Sequence, residues 1–122
     1  MEPKFSIRKE DNFVRSCVRA PTTPALLYEL LGETARKAKQ WGFKRYCSDF
    51  RKSERQMDVL KDYDIAYNIA GECGMVPGSK HALVVKKEEI GEFRFVENVF
   101  NNAGYILKAF TEEDEAIKWI RK

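Results

Sequence analysis

The stretch Lys80-His81-Ala82-Leu83-Val84-Val85-Lys86 decides the fold class that the sequence predicts. Its apolar centre is continuous, which is typical of a strand that is covered on both faces. Pro77-Gly78 precedes it as a turn signal. Helical patterns stand on both sides of this stretch, and strands that alternate with helices are typical of a parallel sheet. We therefore predict a central parallel strand of an α/β domain here.

Two amphipathic helices flank the predicted strand in the sequence. The earlier helix is clearest from Asp62, could begin as early as Met57, and ends at Gly74. Its predicted buried stripe consists of Tyr63, Ala66, Tyr67, Ala70 and Cys73. The later helix runs from about Glu89 to Ala103 and is followed by Gly104. Its predicted buried stripe consists of Phe93, Val96, Val99, Phe100 and Ala103.

The first part of the chain predicts a hairpin, a helix and a third strand. The predicted strands are Phe5 to Arg8, Phe13 to Arg19 and Phe43 to Asp49. Glu10-Asp11-Asn12 forms the turn between the first two strands. Thr23 is the expected N-cap of the helix, with Pro24 at the first helical position and Gly42 at the end.

The last part of the chain predicts a strand and a helix. The strand runs from Tyr105 to Phe110, and Thr111-Glu112-Glu113-Asp114 resembles a capping box with Asp in place of Glu. The final helix carries acidic residues in its first turn and basic residues in its last, as the helix dipole favours. The element order is ββαβαβαβα. We predict a single domain over residues 1–122, with a mixed, mostly parallel sheet of about five strands and about four helices.

Composition excludes several functional classes. The chain has 122 residues, 43% of them hydrophobic, which is enough to bury one core. Its 22 basic and 19 acidic residues are interleaved, so we expect no nucleic-acid partner. No apolar stretch approaches the roughly 20 residues of a membrane span, and Met1-Glu2-Pro3-Lys4 lacks the apolar core of a signal peptide. Three widely spaced cysteines fit a reducing compartment, and we expect a cytoplasmic protein.

Three segments, together with this element order, resemble a known group of proteins. They are Tyr46-Cys47-Ser48-Asp49-Phe50-Arg51, Asn98-Val99-Phe100-Asn101-Asn102-Ala103-Gly104, and the run from Phe110 through Thr111-Glu112-Glu113-Asp114 to Ile120. The chain resembles the bacterial SpoIIAA-like proteins, which are relatives of the STAS domains (sulfate transporter and anti-sigma factor antagonist). This resemblance implies the SpoIIAA-like fold and a regulatory role through protein contacts. It also implies an architecture shared broadly with the lipid-binding CRAL-TRIO domains.

The resemblance directs attention to the loop after the third strand. In STAS domains that antagonise anti-sigma factors, a phosphorylatable Ser or Thr lies there within an Asp-Ser-Ser-Gly-like sequence. This chain lacks that sequence, and its loop offers Ser53 as the candidate phosphoacceptor, with Lys52 and Glu54 beside it.

The same loop is the best candidate for an interaction or ligand site. Its residues are Asp49, Arg51, Lys52, Ser53 and Arg55, at the carboxyl end of a strand, where open α/β sheets place their ligands. Guanidinium groups beside a helix N-terminus suit an anion. The alternative is a solvated charged loop in which Asp49 pairs with Arg51 or caps the local backbone. The segment from Phe50 to Gln56 is polar and aperiodic, so we expect it to be exposed.

The sequence offers no catalytic, metal or cofactor site. Cys17, Cys47, Cys73 and His81 lack the spacing of a metal motif, and packing in the core accounts for the cysteines. A lone histidine at the start of a strand is typically a hydrogen-bonded structural residue. Acid–base catalysis would need a partner for His81 that the sequence does not identify. We therefore expect a protein that is not an enzyme.

Aromatic residues leave two interpretations open. Tyr63, Tyr67, Phe93, Phe95 and Phe100 either pack in the core or line an apolar pocket between helices and sheet. Phe95, Ile65 and Ile69 fall off the helical stripes and predict an exposed apolar surface for a partner or a homodimer. The first functional hypothesis is a STAS-like protein-interaction module. The alternative is a carrier of a small apolar or anionic, lipid-like ligand.

Overall fold

The computed structural model describes residues 3–122, and Met1 and Glu2 of the N-terminal stretch considered above lie outside the described residues. One five-stranded sheet forms its centre, with the strands adjacent in chain order. They are β1 (Phe5–Lys9), β2 (Val14–Val18), β3 (Arg45–Asp49), β4 (Lys80–Val84) and β5 (Ile106–Phe110). β1 and β2 pair antiparallel, whereas the other three pairings are parallel. The predicted mixed, mostly parallel sheet of five strands is confirmed.

Four helices connect and follow the strands. They are α1 (Pro24–Trp41), α2 (residues 59–72), α3 (Ile90–Asn102) and α4 (Glu113–Arg121). α2 consists of an α-helical part, Val59–Asp64, a π-helical turn, Ile65–Ile69, and a last turn, Ala70–Glu72. A 3₁₀ turn, Lys87–Glu89, leads into α3. None of the helices within residues 3–122 combines the length and apolar composition that crossing a bilayer requires.

The predicted limits of α1 are confirmed by its two ends. The Thr23 side chain accepts a hydrogen bond from the Leu26 amide at 3.1 Å, and Pro24 follows as the first helical residue. At the other end Gly42 adopts φ 78°, a left-handed conformation that glycine accepts without a Cβ penalty.

The predicted capping box of α4 is wrong. Glu112 occupies the N-cap position, and its side chain caps no backbone amide. The helix begins at Glu113 and is instead favoured by its acidic first turn and basic last turn.

The predicted buried stripe of α2 is correct for Ala66 and Ala70 but wrong for the tyrosines. Tyr63 and Tyr67 are exposed, and the helix buries Asp62 and Ile65 in their place. Asp62 is stable on this buried face because it pairs with Arg55. The first residue of the buried stripe is therefore charged, whereas the rest of the stripe is apolar. Burial of Ile65 also contradicts its prediction as part of an exposed apolar surface.

Helices cover the two faces of the sheet unequally. α1, α2 and α3 pack on one face, where β3 and β4 present Tyr46, Ser48, His81 and Leu83. α4 packs alone on the other face, against Cys47, Ala82 and Val84. The three-helix face contains the apolar cavity described below, and β4 is flanked by a parallel strand on each side, as predicted.

Candidate functional site

A cavity of about 80 Å³ lies between the three-helix face of the sheet and helices α1, α2 and α3. Its wall is mainly apolar and includes Leu27, Leu31, Ile65, Leu83, Phe93 and Phe100. Protein interiors rarely contain voids much larger than a water molecule, which needs roughly 10–15 Å³. The cavity is therefore several times larger than the voids that ordinary packing leaves in a protein interior.

The cavity is also visible in how the burial of side chains alternates along β4. Ala82 and Val84, which face α4, are fully buried. His81 and Leu83 face the cavity and keep part of their surface accessible, although β4 has a neighbouring strand on both sides. Because β4 is interior in the sheet, this accessibility comes from the space beneath the helices.

Two stacked rings form the part of the cavity wall near the amino ends of the strands. Tyr46 and His81 are register partners on β3 and β4, and their rings are nearly parallel, with centroids 4.7 Å apart. Tyr105 meets the His81 ring edge-on at 6.0 Å. The His81 Nε2 atom shares a hydrogen bond of 2.7 Å with the Ser79 hydroxyl. The predicted structural hydrogen bond of this histidine is confirmed, and the ring also lines the cavity.

Burial fixes the protonation of these rings at neutral pH. It lowers the pKa of His81 to about 4, so the imidazole is uncharged. It raises the pKa of Tyr46 to about 12, so the phenol keeps its proton. The end of the cavity near the amino ends of the strands, which we call the inner end, is therefore polar but uncharged.

A buried ion pair forms the wall near the carboxyl ends of the strands. The Arg55 guanidinium contacts the Asp62 carboxylate at 2.5 Å, and the two side chains are 8% and 6% exposed. Arg55 also lies over the Phe93 ring at 5.0 Å. Its Nε atom is 3.2 Å from Glu92 Oε1 but forms no hydrogen bond. Burial raises the pKa of Asp62, and the hydrogen bond from Arg55 opposes that shift.

The loop after β3 is held against this end of the cavity. The Ser53 hydroxyl is 2.5 Å from the Thr22 hydroxyl and donates to the Ala20 carbonyl at 2.7 Å. Ser53 is only 2% exposed. The prediction that this loop is exposed is therefore wrong at Ser53 and for the Arg55 side chain. Phosphorylation of Ser53 would require the loop to leave this position.

The predicted loop residues separate into two groups. Ser53 and Arg55 line the cavity, whereas Lys52 is exposed. Asp49 and Arg51 lie beside a different groove, of about 200 Å³, on the α4 face of β1 and β2. The five residues therefore do not form one ligand site.

The Asp49–Arg51 pair predicted from the sequence is present. Arg51 donates to both carboxylate oxygens of Asp49, at 3.0 and 2.8 Å, and its amide donates at 3.0 Å. Burial raises the pKa of Asp49, but the hydrogen bonds from Arg51 outweigh it and the net pKa is lowered. Glu113 bridges Arg15 and Arg51 across this groove, so these two cations are already paired.

An exposed apolar surface covers the outside of α2 and α3. It consists of Val59, Leu60, Tyr63, Tyr67 and Phe95, and we call it the α2–α3 surface. Leu60 is 80% exposed. The ring centroid of Tyr63 lies 6.1 Å from that of Tyr67 and 6.1 Å from that of Phe95. Exposure of Phe95 was predicted, but Tyr63 and Tyr67 belong to this surface and not to a pocket.

The sequence reasoning missed the main components of the cavity. Arg55 and Asp62 are seven residues apart, on a loop and a helix, so no motif spacing links them. Tyr46 and His81 meet only because β3 and β4 pair in one register. One signal was available, since Asp62, Ile65, Ala66 and Ala70 follow helical spacing as well as the tyrosines do.

Comparison with protein-family models and with curated protein sequences finds no match to this chain.

Proposed function

We propose that this domain is a non-enzymatic binding module that holds a small, mainly apolar molecule in the cavity beneath α1, α2 and α3. The observation that supports this proposal most directly is the cavity of about 80 Å³ in the core, with an apolar wall and polar side chains at its ends. Small-molecule sites typically combine these features. The alternation of β4, with accessible His81 and Leu83 against buried Ala82 and Val84, supports it independently.

The volume restricts the size of the ligand. An engineered cavity of about 150 Å³ holds benzene, so roughly half that volume suits a molecule of about two to four non-hydrogen atoms. A long-chain lipid would need the helices to move apart. The proposal therefore narrows the lipid-like alternative to small compact molecules.

Methyl NMR tests this proposal directly. Ethanol and propane, titrated separately, should shift the methyl signals of residues lining the cavity, such as Leu83, Leu107 and Val96. Leu83→Phe fills part of the cavity and should abolish the shifts, whereas Leu60→Phe, at an exposed position, should not. If neither probe shifts these signals in the unaltered protein, the proposal is refuted.

A second variant distinguishes a filled cavity from a folding defect as the cause of lost binding. Ala70→Val adds less volume to the same cavity wall, from α2. It should weaken binding of both probes while the dispersed amide spectrum of the folded protein is retained. Undiminished binding in a folded Ala70→Val protein would argue that the probes bind elsewhere.

A second candidate function is supported by the α2–α3 surface. We propose that it contacts a protein partner, and that the chain is a SpoIIAA-like domain, consistent with its five-stranded α/β architecture. Exposed apolar patches of this kind are typical of interaction sites. Sedimentation equilibrium tests the homodimer version, since Leu60→Lys should reduce any self-association, and Val76→Lys, an exposed position outside the surface, should not.

A further inference from the structure

The two ends of the cavity differ in charge, and that difference defines a ligand class. At the inner end, near the amino ends of the strands, the side-chain hydrogen bonds within residues 3–122 involve the Nε2 atom of His81 but neither its second ring nitrogen, Nδ1, nor the Tyr46 hydroxyl. Both rings line the cavity. A ligand with one polar group can therefore bond to these atoms without displacing a partner from the protein.

At the outer end of the cavity, near the carboxyl ends of the strands, the charged side chains disfavour an anionic ligand. Asp62, Glu89 and Glu92 place three carboxylates around this end, and Glu89 and Asp62 line the cavity itself. Arg55 is already paired with Asp62, and Lys86 donates to the Ser53 carbonyl at 3.2 Å. The formal charge of these five side chains is therefore negative. The Arg55 Nε atom forms no hydrogen bond, but the guanidinium charge is balanced by Asp62 and Glu92, so an incoming anion would meet net repulsion.

We propose that the cavity selects small neutral molecules with an apolar body and one hydroxyl or comparable polar group, which is seated against Tyr46 and His81. This inference rests on the proposed function and specifies its ligand. The apolar wall formed by residues such as Leu83 and Phe93 receives the body of the ligand. The Tyr46 hydroxyl donates to the ligand oxygen or accepts from it, and His81 Nδ1 offers a second polar contact. The anionic alternative of the sequence analysis is thereby disfavoured.

Three probes of similar size test the selection. Ethanol has the polar group, propane lacks it, and acetate carries a negative charge. In methyl NMR titrations ethanol should bind about two- to tenfold more tightly than propane, the range that one neutral hydrogen bond provides. Acetate should bind more weakly than ethanol. Equal or tighter binding of acetate would overturn the inference.

Tyr46→Phe isolates the hydroxyl. Its affinity for ethanol should fall toward that for propane, while its affinity for propane should stay unchanged. Tyr67→Phe removes the same atom at an exposed position and should change neither affinity. His81→Phe provides a second variant, with the same loss expected for ethanol.

The outcomes separate the two proposals. If propane and ethanol bind equally and Tyr46→Phe changes nothing, the cavity still binds ligands but the selection is refuted. If no probe binds the unaltered protein, the proposed function fails and the selection fails with it.

Discussion

Arg55 and Asp62 contact each other at 2.5 Å across one end of the cavity, from a loop and a helix, with both side chains almost fully buried. This contact joins the loop after β3 to α2. It therefore couples the two segments that enclose the outer end of the cavity.

Breaking this ion pair should destabilise the protein strongly. Arg55→Met leaves the Asp62 charge buried without its partner, which costs about 3–5 kcal/mol of unfolding free energy. Asp62→Leu should cost a similar amount, and the double variant should lose less than the sum of the two. Urea denaturation of all four proteins measures the coupling.

An exposed ion pair provides the matched control. Arg36 contacts Glu33 at 2.8 Å on the surface of α1. Arg36→Met should therefore cost less than about 1 kcal/mol. Additive losses for Arg55→Met and Asp62→Leu would show that the buried pair is not coupled.

Stability should decrease as the pH falls through the range in which His81 titrates. The pKa of His81 is lowered from 6.5 to about 4 in the folded protein, so the unfolded chain binds the proton more readily. The stabilisation is complete above pH 6.5 and is lost progressively as the pH falls to about 4, by about 3 kcal/mol at most. His81→Phe should remove this part of the pH dependence.

The measurement for His81 is unambiguous because the chain has one histidine. Denaturation at several pH values between 7 and 4 should give a steeper decline for the unaltered protein than for His81→Phe. Titration of the single imidazole by NMR should place its pKa well below 6.5. An imidazole that titrates near 6.5 would contradict its burial beneath the helices.

Ser53→Ala should loosen the loop after β3. It removes the hydroxyl that contacts Thr22 and Ala20, and should cost about 1–3 kcal/mol because both partners are left unsatisfied in a buried position. Ser6→Ala, at an exposed position on β1, should cost almost nothing. Denaturation measures both, and equal values for the two variants would count against the role of Ser53 as an anchor.

Asp58 should stabilise the start of α2. Its side chain accepts a hydrogen bond from the Lys61 amide at 2.9 Å, so Asp58→Ala should cost about 1 kcal/mol. Asp58→Asn keeps an acceptor and should restore most of the stability. Thermal unfolding compares the two variants, and equal losses would mean that the cap contributes little.

The sequence predicts the architecture of this domain well because that architecture depends on local signals. The apolar run of β4, the Thr23 cap and Pro24 of α1, and the stop at Gly42 each act within a few residues. Those signals were sufficient for the number of strands and helices and for most of their limits.

The candidate site was less predictable because its contacts are distant in the sequence. Tyr46 and His81 are brought together by strand register, and a cavity is a property of how helices pack on a sheet. The burial of Asp62 in place of Tyr63 and Tyr67 was also missed, since a charged residue on a helix normally indicates the solvent side. Only its partner Arg55 explains why it is buried.

The π-helical turn in α2 has a consequence for how a molecule could enter the cavity. Within Ile65–Ile69 the backbone bonds reach one residue further than in an α-helix, as from the Ala70 amide to the Ile65 carbonyl. Ile65 and Ala70, which bound this turn, both line the cavity. We therefore expect amide protons in this turn to exchange with solvent sooner than those in the middle of α1. The roof of the cavity would then open at its middle, by transient breathing of a few residues, while the sheet below stays closed.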